Sequence, residues 1–219
     1  MTRQGDLDYA SARIAARYGE RPSETAWRSI GVIRELPVLL DAARQGPFRR
    51  WVAGLEPGSD AHAIEAAMRS SWRALCSEVC AWMPPEWQRA VELARALPDL
   101  PIEAYLARGE PPLAWMRDYG RPAAGADPDP VALLAAWRQE WRQRVPPHAR
   151  RDPLLSELAR LLRSPARREL AARLPLLYRR AVLEPSAAFV FLALSALDME
   201  RLRGELLRRA LFAHLRMAA

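Results

Sequence analysis

Apolar residues recur along this chain at the three- and four-residue spacing of helices, and no window alternates apolar with polar residues for long enough to argue for a strand. The clearest case lies between positions 60 and 82. Ile64, Ala67, Met68, Leu75, Val79 and Trp82 fall near one face of a long helix there. The turn EPGSD precedes this helix, and Pro84 with Pro85 ends it. Upstream, the pattern predicts a helix over roughly 6–18 with an acidic start and Gly19 just past its end. Ser23 is the N-cap expected for a second helix reaching about Glu35, and a short third helix over 38–45 is stopped by Gly46. Pro47 stands at the first-turn position of the next. Beyond Pro85, helices are predicted over 86–97 and 102–108, separated by LPDLP.

The run FVFLALSALDMERLRGELLRRALF, positions 189–212, changes character at Asp198. No charge precedes that aspartate back to Glu184. The uncharged stretch 185–197 is 13 residues long, short of the roughly 20 needed to cross a bilayer. A membrane span is therefore excluded, and Phe189, Phe191 and their leucines instead fit a helix enclosed by other helices. After Asp198 the same helix turns amphipathic. Met199, Leu202, Leu206 and Ala210 form an apolar stripe, with Arg201, Glu205, Arg208 and Arg209 expected on the other side.

Composition agrees with helix nearly everywhere. Half of the 219 residues are apolar, enough for a large core, and the 19 prolines punctuate helices rather than forming a low-complexity tract. All 33 basic residues are arginine, with no lysine and no asparagine. Such a bias matches a GC-rich genome, so the arginine count alone carries no function. It does exclude any chemistry that needs a lysine, including a P-loop or a Schiff base.

The segment DYGRPAAGADPDP, 118–130, is the best linker candidate, dividing a unit over 1–117 from a basic unit over 131–219, unless the two pack as one domain. Positions 1–133 hold 16 arginines against 18 acids, a balance of −2, and positions 134–219 hold 17 against 8, a balance of +9. The second part is thus suited to an acidic partner, or is an arginine-rich solvated surface. PFRRWVA at 47–53 and PARRELA at 165–171 share one pattern, a hint of two repeated helical units.

No catalytic constellation is present. The chain lacks a Gly-rich phosphate loop, HExxH, Gly-x-Ser-x-Gly and a helical carboxylate cluster. His62, His148 and His214 lie far apart, and Asp127 and Asp129 sit in a proline-rich turn. Cys76 and Cys80 share a helix face, with His62 roughly 20 Å up the same helix, so they read as buried apolar residues and not as zinc ligands. The start MTRQGDLDYASARI has no apolar signal region, and two cysteines without one fit a reducing cytoplasm.

In order of features the chain resembles the rotor-cap family of V-type and A-type rotary ATPases, the central-stalk component found in bacteria, archaea and eukaryotes. Tyr9, Ala12, Arg13 and Ile14 match the family's opening pattern, and Asp198, Leu202 and Arg203 match an acid followed by Leu-Arg in its last helix. The two PxRR segments are similar to the family's repeated helical units. Family members usually carry three repeats in longer chains, whereas this one has room for about two. It also has Asp198 where the family prefers Glu, and Arg201 where it prefers Asn.

The resemblance implies an all-α multi-helix bundle with a long C-terminal helix, without an active site or cofactor. It further implies a funnel on the cytoplasmic face of the proteolipid ring, peripheral to the membrane, which receives the foot of the central shaft and passes torque between them. Arginines that make bidentate contacts with partner carboxylates are expected at Arg203, Arg208 and Arg209, at Arg49 and Arg50, and at their repeat counterparts Arg167 and Arg168. Tyr9 and Arg13 are expected to brace the first helix against the last. The alternative is an arginine-rich nucleic-acid-binding or adaptor protein, with Trp137 and Trp141 in AAWRQEWRQR as stacking residues.

Overall fold

The computed structural model describes residues 3–112, 116, 129–162 and 166–212. It is all-α, and no strand occurs among the described residues. Helix α1 (Arg3–Gly19) is followed by α2 (Glu24–Gly31), α3 (Leu36–Arg44), the single turn α4 (Arg49–Val52), α5 (Ala61–Trp82) and α6 (Pro85–Glu92). A 3₁₀ segment, Leu93–Asp99, leads into α7 (Leu100–Ala107). The second part holds α8 (Pro130–Arg144), α9 (Pro153–Leu161), α10 (Arg167–Ala181) and α11 (Ser186–Phe212).

Helix starts follow the local chemistry. Ser23 Oγ accepts from the Ala26 amide, Asp60 from Ala63, Asp129 from Val131 and Asp152 from Leu154, so orphan amides of α2, α5, α8 and α9 are each satisfied by the preceding side chain. Two helices end earlier than their sequence pattern suggests. Helix α2 stops at Gly31 rather than near Glu35, because its last carbonyls turn toward a guanidinium of α11. The helix expected over 86–97 becomes 3₁₀ after Glu92. Pro98 has no N–H for the carbonyl of Ala94, and Trp72 Nε1 donates to that carbonyl at 2.8 Å instead. Trp137 Nε1 takes the carbonyl of Leu93 at 2.9 Å.

Pro47 lies ahead of α4, whose N-cap is Phe48, not in its first turn. The two Arg-Arg pairs do open helices, but of 4 residues at Arg49 and 15 residues at Arg167. Pro165 and most of the expected linker, 118–128, lie outside the described residues, as does His214.

Helices α5 and α11 form the centre. Helix α11 lies against α1, α3, α5, α9 and α10, and α5 against α1, α4, α6 and α11. From Ser186 to Leu192 every residue of α11 is buried, as an enclosed helix requires. Past Asp198 burial narrows to a stripe of Met199, Leu202, Leu206 and, against expectation, Arg209. Each fully buried leucine of this set contributes about 1.5–3 kcal/mol by leaving water. One apolar cluster takes Ile14, Trp72 and Val79 from the first part and Leu158, Leu177 and Leu206 from the second. The two parts therefore share a single core.

Candidate functional site

An open cleft of about 880 Å³ lies where the end of α1, the start of α2, α4 and the middle of α11 meet. Arg17, Arg21, Arg49 and Arg50 line it, together with Glu20 and Asp198. Three of these arginines are held by carboxylates. Arg21 Nε donates to Asp198 Oδ2 at 2.7 Å, and Arg50 donates to Glu78 Oε2 at 2.6 Å. Arg17 donates to Glu78 Oε1 and, at 2.7 Å, to Glu20. Glu78 thus bridges α1 and α4 from its place on α5. Arg49 is exposed and makes no ion pair among the described residues.

The two bridging acids respond to this environment in opposite directions. Burial pushes the Asp198 carboxyl above its ordinary value, more than the Arg21 guanidinium beside it pulls it down. At Glu78 burial acts the same way, but hydrogen bonds from both Arg17 and Arg50 outweigh it and hold the carboxyl below the ordinary range. Arg17 is raised in turn, chiefly by its bond to Glu78.

The seven arginines nominated from sequence do not form one surface. Arg49 and Arg50 share the cleft. Arg167 and Arg168 stand at the start of α10, where Arg167 pairs with Glu200 at 3.0 Å and Arg168 is exposed. On α11, Arg203 pairs with Glu65 and Arg208 with Glu205, the latter at 2.7 Å. Arg209 requires a correction. It is not on an exposed face: at 5 % exposure it is buried, donating to the carbonyls of Ile33 at 2.8 Å and Ile30 at 3.0 Å and to Glu205 Oε2 at 2.6 Å. A guanidinium carries five donors in a planar fork, and here it closes the C-terminal end of α2. Its position on the helix brings residue 209 back toward the stripe of Leu202 and Leu206, which places it inside.

Tyr9 and Arg13 do not brace α1 against α11 either. Tyr9 is exposed, and the Arg13 guanidinium lies 5.2 Å from the Trp82 ring centroid on α5. The tie to α11 comes from Arg21, just past α1, through Asp198, while Tyr18 of α1 stacks on Tyr178 of α10 with centroids 3.9 Å apart. Sequence reasoning missed Arg17, Arg21 and Glu78. A signal existed for Arg17, which follows Arg13 at four-residue spacing and so shares its side of α1; Arg21 lies past the helix end, and Glu78 carried none.

Trp137 and Trp141 are stacked with centroids 6.5 Å apart, and Trp141 meets Phe189 edge to face at 5.3 Å, so both indoles face the body of the protein. Cys76 is buried, and burial pushes its thiol up to about 12. Among the described residues no group of three potential metal ligands is found, and no helix is long and apolar enough to cross a membrane. No protein-family model, curated protein or solved structure matches the chain.

Proposed function

We propose that this chain is a non-catalytic coupling component of a proton- or sodium-translocating V-type or A-type rotary ATPase, a helical body that seats the foot of the central shaft against the proteolipid ring at the cytoplasmic face of the membrane. The observation that carries this reading is the open arginine-lined cleft beside α11. Its walls are cross-braced by Arg17, Arg50, Glu78, Arg21 and Asp198, so they resist deformation when a load crosses them. Arg49 offers it a guanidinium with no carboxylate partner among the described residues, suited to an acidic side chain on a shaft segment.

The resemblance in YASARI and in Asp198, Leu202 and Arg203 points the same way. Of the other nominated arginines, Arg168 is exposed and also makes no ion pair among the described residues, whereas Arg50, Arg167, Arg203 and Arg208 already hold internal acids. The docking contacts of this reading therefore centre on Arg49, with Arg168 as a secondary contact. Trp141 meets Phe189 edge to face and the Trp137 N–H donates to the Leu93 carbonyl, which supports a core-facing role for the pair over base stacking.

Charge reversal tests this reading. Arg49→Glu is expected to leave the fold intact and to reduce co-purification of ATPase subunits with the tagged protein by about tenfold, a loss of roughly 1.4 kcal/mol. Unchanged co-purification removes the cleft from the proposal.

A further inference from the structure

Helix α8 covers the neighbouring helices incompletely. None of its residues is buried. Beneath its two stacked indoles, between α9, α11 and the 3₁₀ segment, lies a cavity of about 170 Å³ walled by Trp72, Trp141, Leu158, Phe189 and Leu192. Of the three indoles around it, Trp72 and Trp137 have their N–H groups committed to the carbonyls of Ala94 and Leu93. The cavity's volume is close to the roughly 150 Å³ that accepts a guest the size of benzene, and it opens to solvent past a charged rim.

The rim is charged, and unevenly. Arg138, Arg142 and Arg167 stand there against one acid, Glu200. Arg167 and Glu200 pair with each other at 3.0 Å. Arg138 and Arg142 have no carboxylate partner among the described residues, although the nearby Glu140 is bound to Arg144. Two uncommitted guanidiniums four residues apart on one helix lie on the same side of it, at the mouth of an apolar space.

We propose that this cavity binds a small amphipathic carboxylate: an aromatic ring or similarly compact apolar body held against Trp72, Trp141 and Phe189, joined by a short spacer to a carboxylate that bridges Arg138 and Arg142. The ring gains edge-to-face and offset contacts with the surrounding aromatics, and the head gains charge-assisted hydrogen bonds. This site lies apart from the cleft lined by Arg49 and does not depend on the rotary-ATPase reading.

Calorimetric titration of the full chain with phenylpropionate, and with phenylpropanol as its neutral counterpart, tests the site. Saturable one-to-one binding of the acid is expected, about tenfold or more tighter than the alcohol, with a negative heat-capacity change from apolar burial. The double variant Arg138→Gln with Arg142→Gln, whose far-ultraviolet circular dichroism should match the wild type, is expected to bring the acid down to the affinity of the alcohol. Ala196→Leu, which adds bulk to the cavity wall, is expected to weaken both probes. If that variant fails to fold, the arginine pair alone decides. Equal affinity of acid and alcohol, binding unaltered in the double variant, or binding of neither probe overturns the proposal.

Discussion

Arg21, just beyond α1, donates from Nε to Oδ2 of Asp198 on α11 at 2.7 Å, joining positions 177 apart in sequence across the floor of the cleft. Both side chains are largely buried, at 20 % and 11 % exposure. A buried pair of this kind stabilises little in itself, but loss of one partner strands the other charge. Arg21→Ala is therefore expected to cost about 3 kcal/mol at neutral pH, and Asp198→Asn to cost less, because its side-chain oxygen still accepts from Arg21 and the more exposed guanidinium keeps some contact with water. Urea unfolding of the two variants checks the asymmetry. Because the folded Asp198 carboxyl sits above its ordinary value of 3.8, its ionisation costs stability. That cost is absent below the ordinary value and complete above the raised folded value, so Asp198→Asn should remove a decline in stability that the wild type shows as pH rises through that window.

Glu78 has the opposite sign. Its carboxyl is held below the ordinary value of 4.5 despite burial, through Arg17 and Arg50. The stability it contributes is present above that value and is lost as pH falls through the lower, folded value. Glu78→Gln is expected to flatten the acid limb of the stability curve, with little change in slope near neutrality. An acid limb identical to the wild type contradicts the bridging role.

Arg209 and Arg208 are sequence neighbours with different duties. Arg209→Ala strands the carbonyl of Ile33 just past α2 and removes a bond to Ile30, whose carbonyl keeps the Ile33 amide; one such unsatisfied group costs about 1–3 kcal/mol. Arg208 holds only Glu205 at the surface, where such pairs are worth about 0–1 kcal/mol. Thermal denaturation is expected to show a large fall in Tm for Arg209→Ala and almost none for Arg208→Ala. Equal shifts contradict the buried fork.

Cys76 is buried with its thiol pushed up to about 12, and Cys80 is raised as well by burial. The thiolate is the reactive form. Labelling by an aromatic disulfide reagent near neutral pH is expected to be slow for both in the folded chain and fast in denaturant, with Cys76 the slower. Rapid labelling of Cys76 in the native protein contradicts its place in the core.

Much of the fold was legible because local rules governed it. Ser23 caps the helix it was expected to cap, and the long α5 after the EPGSD turn and the enclosed half of α11 follow their apolar periodicity. What was not legible depends on partners distant in sequence. The end of α2 is set by Arg209, and the 3₁₀ stretch after Glu92 by the Trp72 and Trp137 indoles. Arg209 falls on the same side of α11 as Leu202 and Leu206, but its charge reads as solvated until α2 supplies the carbonyls that accept from it. The cleft was half visible, through Arg49 and Arg50. Arg17, Arg21 and Glu78 became part of it only when α1, α4 and α5 were brought together.

The central claim is a place in a rotary ATPase, and affinity capture of the tagged full chain from its own cells after gentle detergent extraction tests it most directly, with partners identified by mass spectrometry. The account predicts nuclease-resistant recovery of a proteolipid together with nucleotide-binding ATPase subunits, at levels reduced by Arg49→Glu. Recovery of nucleic acid, or of no ATPase chain, contradicts it.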